Sequence, residues 1–424
     1  MEKDIKKPQI RFQGFTEEWE QHKLGDYCEM YNGDRSSKYP NASDMVDDGI
    51  PFINAGDLEN GSVNLKTANN ITREKYNQLG GAKLQIGDIV YCLRGTLGKN
   101  AFIDNFEEGT IASSLVAIRP KNIDGRYLYY ILNSDIEYRQ RIVHDEGAAQ
   151  PNLSAKSVSE FEIPIPSIGE QKKISAYFTK FDHLIYFHQR KYDSLVKVKK
   201  SMLEKMFPRR GAKKPEIRFA GFTDDWEQRK LGEIMDEVTD YVAAGSFADL
   251  AKNVQYMSKP DYAQLVRTID LKHNFSNGSF IYVNKNAFDF LWRVNLNNEC
   301  IILPNIGANI GEVYYIDPNV LPYQNNVLGP NAIYLKPKSN TKFIYSLFQT
   351  KEFQCKLSII IASSGQPKFN KTELKEIVFS VPSFEEQKQI GNFFKKFDNL
   401  ISLHQRKLNL LKNIKKAMLE KMFV

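Results

Sequence analysis

The sequence predicts an α+β chain: two similar α+β domains separated by two long helices that form an antiparallel coiled coil, an internal pseudo-two-fold repeat. Three observations predict it. Glu170 to Phe207 aligns without a gap with Glu386 to Phe423, and 23 of the 38 positions are identical. Pro8 to Asp26 aligns with Pro215 to Glu233, with 13 of 19 identical. Between these shared ends lie two diverged bodies, about 27–165 and 234–381, each with short β-prone runs. A repeat of this size sets the architecture before any single motif does.

At 424 residues, two domains of ordinary size fit better than one core. The order is opening motif, body and terminal segment, twice over. The resulting boundaries are 1–165, a helix 166–207, a linker 208–214, 215–381, and a second helix 382–424. The repeats are offset by 207 at the opening motif and by 216 at the terminal segment, so the second copy has gained nine residues. Inside the bodies an offset of 213 matches Asp57-Leu58 with Asp270-Leu271 and Gly98 with Gly311.

In the first body, the runs from Ile89 and from Leu115 read as strands bounded by turn residues, and Gly125 to Ile142 reads as helical. In the second, the runs from Ile301, Val313 and Ala332 read as strands, and Thr341 to Ile361 as helical. Each terminal segment opens Pro-Ser-x-x-Glu (Ser167 and Glu170, Ser383 and Glu386), the spacing of a capping box. Each then runs some 38 residues without an internal proline, roughly 57 Å of helix. The apolar seam steps by three and four: Ile174, Phe178, Phe181, Ile185, His188, Tyr192, Leu195, Met202 and Met206. The second copy repeats it with Ile390, Phe394, Phe397, Ile401, His404, Leu408, Leu411, Met418 and Met422. Sustained spacing of this kind is that of a coiled coil. The linker is short, so an antiparallel pair is favoured, with the bodies at opposite ends and His188 meeting His404.

Composition is that of a globular protein, 42% hydrophobic and 26% charged. No apolar run approaches the ~18 residues of a membrane span, and the N-terminus lacks a signal-peptide pattern; a cytoplasmic location is expected. Cys28, Cys92, Cys300 and Cys355 are scattered, which argues against a disulfide framework or a structural metal. Net charge is +7, but 170–210 carries +7 and 386–424 carries +6, leaving −6 elsewhere. The positive field belongs to the repeated segments, and suits either a nearby polyanion or a solvated lysine-rich helix face.

Motifs for catalysis are missing. There is no glycine-rich cofactor loop with an Asn/Asp-Pro-Pro-aromatic partner for methyl transfer. Arg94-Gly-Thr-Leu-Gly-Lys99 lacks phosphate-loop spacing and reads as a tight turn between strands. Asp261, Asp270 and Lys272 mimic a nuclease triad, but Asp270 aligns with Asp57, where no such triad stands, so a shared framework turn explains it better. No metal ligands are expected. What remains is recognition. Candidate base-reading groups lie in the diverged loops: Arg35, Lys38, Arg94, Ser113, Ser114, Arg267, Asn305, Asn309, Gln324, Asn325 and Asn326.

The opening motif Arg-Phe-x-Gly-Phe-Thr-x-x-Trp-Glu-Gln-x-Lys-Leu-Gly, the Pro-Ser-x-x-Glu-Gln-Lys helix start and the His-Gln-Arg-Lys helix middle resemble those of the DNA-specificity subunit of Type I restriction–modification systems, over essentially the whole chain. The resemblance implies two recognition domains, each reading one half of a bipartite, asymmetric site in double-stranded DNA. It also implies helices that set the spacer and dock two methyltransferase subunits, with restriction/translocase subunits joining. The chain itself would be non-catalytic and without cofactor; S-adenosylmethionine, ATP and Mg2+ would sit on the partners. A structural coiled-coil adaptor that does not read DNA is the competing reading, and a stand-alone restriction enzyme the least favoured.

Overall fold

The computed structural model describes residues 7–145, 152–209, 211–276, 278–362 and 367–423. The chain forms two compact units, Met1–Gln189 with Arg406–Val424, and Arg190–Gln405. Two long helices, Ile168–Lys205 and Phe384–Met422, are 38 and 39 residues long. Each unit holds one body, the start of one long helix and the end of the other.

The two bodies share one topology. In the first unit, strands run in the order Cys28–Asn32, Leu115–Pro120, Ile89–Cys92, Asn100–Phe102; in the second, Met235–Asp240, Ala332–Pro337, Cys300–Pro304, Tyr314–Ile316. All neighbours in these two sheets are antiparallel. A second sheet in each body pairs one strand parallel to a later one and antiparallel to its other neighbour. Ile50–Ile53 lies parallel to Thr110–Ile111 and antiparallel to Asn69–Ile71. Ala263–Val266 lies parallel to Asn326–Leu328 and antiparallel to Ile281–Val283. The first body adds the edge strand Met45–Val46 and the hairpin of Leu58–Glu59 with Ser62–Val63.

Strand residues alternate between two cores because side chains alternate across a sheet. Ile89, Tyr91, Val116 and Ile118 face the core built on the long helix, while Val90, Cys92, Leu115 and Ala117 face the distal core. Ile301, Leu303, Ile333 and Leu335 do the first job in the second unit, and Cys300, Ile302, Ala332 and Tyr334 the second. Burial on both faces explains why these strands read as unbroken apolar runs.

The shared ends form one frame, built twice. Arg11 forks onto Glu170 and Arg218 onto Glu386. Strand Glu20–Lys23 pairs with Glu162–Ile165, and Glu227–Lys230 with Val378–Val381. Ile10 N–H donates to Lys421 O at 3.0 Å, and Ile217 N–H to Lys205 O at 2.9 Å. Phe423 sits among Trp19, Tyr127 and Phe178, and Phe207 among Trp226, Phe343 and Phe394. Thus the Met-Phe end of each long helix completes the core of the other body, not of the body that its start follows.

In both units the helix segments run antiparallel. Asp182 pairs with Lys415 while Phe178, one turn earlier, meets Phe423. Lys199 pairs with Asp398 while Phe207, two turns later, meets Phe394. Rising numbers on one helix meet falling numbers on the other. Of the seam, Ile174, Phe178, Met206, Ile390, Phe394, Leu408 and Met422 are buried. Phe181, Ile185, His188, Tyr192, Leu195, Met202, Phe397, Ile401, His404, Leu411 and Met418 are half-buried.

The capping boxes differ from expectation. Ser167 Oγ accepts from Glu170 N–H at 3.4 Å, but the Glu170 carboxylate turns to Arg11 and to Trp19 Nε1 instead of the Ser167 amide. Glu386 is likewise held by Arg218. A buried carboxylate gains more from a bidentate guanidinium than from one backbone donor. Asp57 and Asp270 are the shared framework turn: each carboxylate accepts the backbone N–H three residues back, from Asn54 at 2.8 Å and Arg267 at 2.9 Å. Gly98 and Gly311 both take positive φ, 79° and 80°, in the turn between the third and fourth strands of their sheets, where a left-handed backbone favours glycine.

Candidate nucleic-acid interface

The first body gathers its polar candidates at one end of the main sheet. Beyond Asn32 the chain turns at Gly33, where a Cβ would stand 2.3 Å from Ala112 O, so only glycine allows this approach. Asp34 then accepts from Ser36 N–H at 2.7 Å and from Gly80 N–H at 2.8 Å, pinning the loop. Bonding to the Ser36 hydroxyl and amide, and then to Gly80, holds the Asp34 carboxyl below the usual aspartate range. Arg35 Nη2 donates to Ser113 O at 3.2 Å, and Leu93 N–H to Ser114 O at 2.9 Å. Arg94 Nε donates to Asn152 Oδ1 at 3.0 Å. Arg35, Ser113, Ser114 and Arg94 are therefore linked by consecutive contacts, and Arg35 and Lys38 line a cavity of about 600 Å3 with Asn32, Ser36 and Gln78.

The second body disperses its candidates. Asn305 donates its N–H to Asn331 O and its side-chain amide to Phe369 O. Asn309 accepts from Lys272 Nζ at 2.6 Å, and the same Lys272 binds Glu312, so Lys272 is not placed for metal-assisted chemistry with Asp270. Gln324 is exposed, and Asn325 Nδ2 donates to Tyr262 O.

Two candidates are corrected. Asn326 is 3% exposed, on a strand inside the distal core, and its amide donates to Tyr323 O; it cannot reach a base edge. Arg267 spends its guanidinium on the fully buried Asp270 and on Ser279 O. Removing it would strand a buried carboxylate, so its role is to hold the turn.

The helix residues also divide. Buried seam positions such as Ile174, Phe178, Ile390 and Phe394 cannot be a docking surface. Exposed apolar positions off the seam can be: Leu184 and Leu400, 216 residues apart, are 46% and 44% exposed. Leu184 and Leu400 were not singled out from the sequence, because an apolar residue on a helix reads as core.

The four cysteines are free thiols, Cys355 alone exposed. Among the described residues no helix is long and apolar enough to cross a membrane.

Comparison with known proteins converges on one family. Residues 16–197 and 223–413 each match the Type I restriction modification DNA specificity domain. The Type I restriction enzyme MjaVIII specificity subunit of Methanocaldococcus jannaschii is 24% identical over 426 residues, covering 95% of this chain and 91% of the relative. The EcoBI specificity subunit of Escherichia coli is 27% identical over 133 residues, 31% of this chain and 28% of the relative. The crystal structure of the Type I restriction–modification S subunit from M. genitalium superposes with a TM-score of 0.66 at 16% identity, covering 99% of each chain, which establishes the fold. Two matched domains, a doubled frame and diverged loops together place this chain in the Type I restriction–modification DNA-specificity family, as a specificity subunit with two recognition domains.

Proposed function

We propose that this chain is the non-catalytic reading subunit of a Type I restriction–modification complex. Body 27–165 reads one half of a bipartite, asymmetric site in double-stranded DNA and body 234–381 reads the other. The long helices set the unread gap and dock two methyltransferase subunits, which bring S-adenosylmethionine. Restriction/translocase subunits bring ATP and Mg2+ and complete the assembly.

One observation carries this reading. The two bodies share the Arg–Glu fork of their frame and the strand order of their main sheet, yet differ in the side chains at the strand ends. Base edges are told apart by side chains, whereas phosphate contacts carry no sequence information. A constant frame holding variable loops is what two different readers need.

The test is to map methylated adenines in cells carrying this chain and its methyltransferase. The expected motif has two unlike parts and a fixed gap. Exchanging residues 27–165 for those of a relative changes one part only; a motif that survives the exchange unaltered would establish the adaptor reading instead. Binding should also weaken steeply with salt, as phosphate contacts require.

A further inference from the structure

Four large apolar side chains of the second body stand in solvent around one cavity. Val242 is 47% exposed, Phe247 83%, Tyr256 52% and Ile306 47%. All four line a cavity of about 550 Å3 at the end of strand Met235–Asp240. Apolar side chains gathered round a cavity can take an apolar group of a partner. An antiparallel bridge sets the exposed Lys368 beside Ile306, while Lys371 is spent on the lining Asp240, its Nζ 2.9 Å from Oδ1.

The first body has its counterpart in the same topological position. Asn32 lies opposite Val116 on the neighbouring strand as Asp240 lies opposite Ile333, and each ends its strand at its body's cavity. There the lining includes Asn32, Asp34, Arg35, Ser36, Lys38 and Gln78, groups that donate or accept hydrogen bonds, beside Met30, Tyr31 and Ala82. The first body's cavity is thus the more polar of the two.

An apolar floor with one lysine beside it, at the strand end where the first body carries its polar candidates, suits a polyanion that displays methyl groups. Duplex DNA does so at the C5 position of thymine in the major groove, with phosphates on either side. We propose that the second body recognises a thymine methyl through the Val242–Phe247–Tyr256–Ile306 cavity, whereas the first body reads its half-site by hydrogen bonds. The proposal rests on the reading above, in which each body reads one half-site.

The test uses the full chain assembled with its methyltransferase and duplexes bearing the mapped site. Deoxyuridine replaces each thymine in turn, which removes only the methyl group. At one thymine of the half-site assigned to 234–381, affinity is expected to fall about four-fold, the worth of one buried methyl group. In V242S/I306S, both changes at exposed positions, the natural site should bind several-fold more weakly and deoxyuridine should cost nothing further at that position. If every deoxyuridine duplex binds like the natural one while base-pair changes in that half-site weaken binding, the cavity is not a methyl reader and the two-reader account stands. If V242S/I306S instead impairs assembly with the methyltransferase and leaves DNA affinity intact, the cavity covers protein and the proposal fails. If base-pair changes in neither half-site matter, the two-reader account falls and the proposal with it.

Discussion

Arg11 and Glu170 are joined by two parallel hydrogen bonds, Nε to Oε1 at 2.7 Å and Nη2 to Oε2 at 2.8 Å, across 159 residues of chain. Glu170 is 1% exposed, and Trp19 Nε1 donates to the same carboxylate at 3.2 Å. Removing the guanidinium would leave a buried charge without its main partner. Arg11→Met is therefore expected to destabilise the first unit by about 3–5 kcal/mol. Arg218→Met should do the same to the second unit through Glu386. Urea unfolding followed by hydrogen exchange checks which unit loosens in each variant.

Phe423 and Phe207 are the matching plugs of the two frame cores. Phe423→Ala should cost about 3–5 kcal/mol, as for other buried aromatics. The exchange protection lost should be that of the segments around Trp19, Tyr127 and Phe178. Phe207→Ala should expose those around Trp226, Phe343 and Phe394 and spare the first group.

The Asp182–Lys415 pair is partly exposed, so its worth is about 1 kcal/mol or less. Asp182→Lys alone should destabilise by more than that, because it also removes the acceptor of the buried Tyr130 hydroxyl, 2.7 Å from Asp182 Oδ2. The exchanged pair D182K/K415D should recover the ion-pair part of the loss and not the hydroxyl's. A double-mutant cycle with no coupling would mean the pair contributes nothing to helix register.

Asp34 gives a pH-dependent prediction. Its folded-state carboxyl is held below the ordinary range, chiefly by Ser36. A depressed acid contributes stability that is present above the unfolded value, about 3.9, and is lost as pH falls through the lower folded value. Asp34→Asn should cost about 1–2 kcal/mol at neutral pH. The gap between wild type and variant should shrink as pH drops below about 3.9, in urea unfolding at paired pH values.

Leu184 and Leu400 provide the docking test. If each packs against one methyltransferase subunit, Leu184→Glu or Leu400→Glu removes roughly 1.5–3 kcal/mol of apolar burial, about tenfold or more in affinity. Single variants should assemble with one methyltransferase and the double variant with none, by mass measurement of the purified complex. Both positions are half-exposed, so the chain's own unfolding midpoint should not move.

The long helices were legible because their signal is local and doubled: 3–4 spacing repeated 216 residues apart. The strands Ile89–Cys92, Leu115–Pro120, Cys300–Pro304 and Ala332–Pro337 were legible as apolar runs because both faces are buried. Ala263–Val266 and Asn326–Leu328 were not. They are three or four residues long, and their parallel pairing joins segments about 60 residues apart. Asn326 stands in a Gln-Asn-Asn run that reads as a loop, and it is buried by distant partners, strand Ala263–Val266 and Leu296, whose N–H donates to its carbonyl at 2.9 Å. Glu170 fits a local cap so well in sequence that its true partner, Arg11, had no signal to compete with it. The apolar cavity of the second body was invisible for a related reason: Val242 and Phe247 look like core until a fold leaves them outside.

The seating of Met422 and Phe423 in the first body has a consequence for biosynthesis. That body emerges from the ribosome first, yet the aromatic plug of its frame core is made some 250 residues later, on the order of tens of seconds at about 5–20 residues per second. The second body finds its own plug, Phe207, already translated. Closure should therefore run against the order of synthesis, with the nascent first body waiting, its aromatic socket open to chaperones, until the tail arrives.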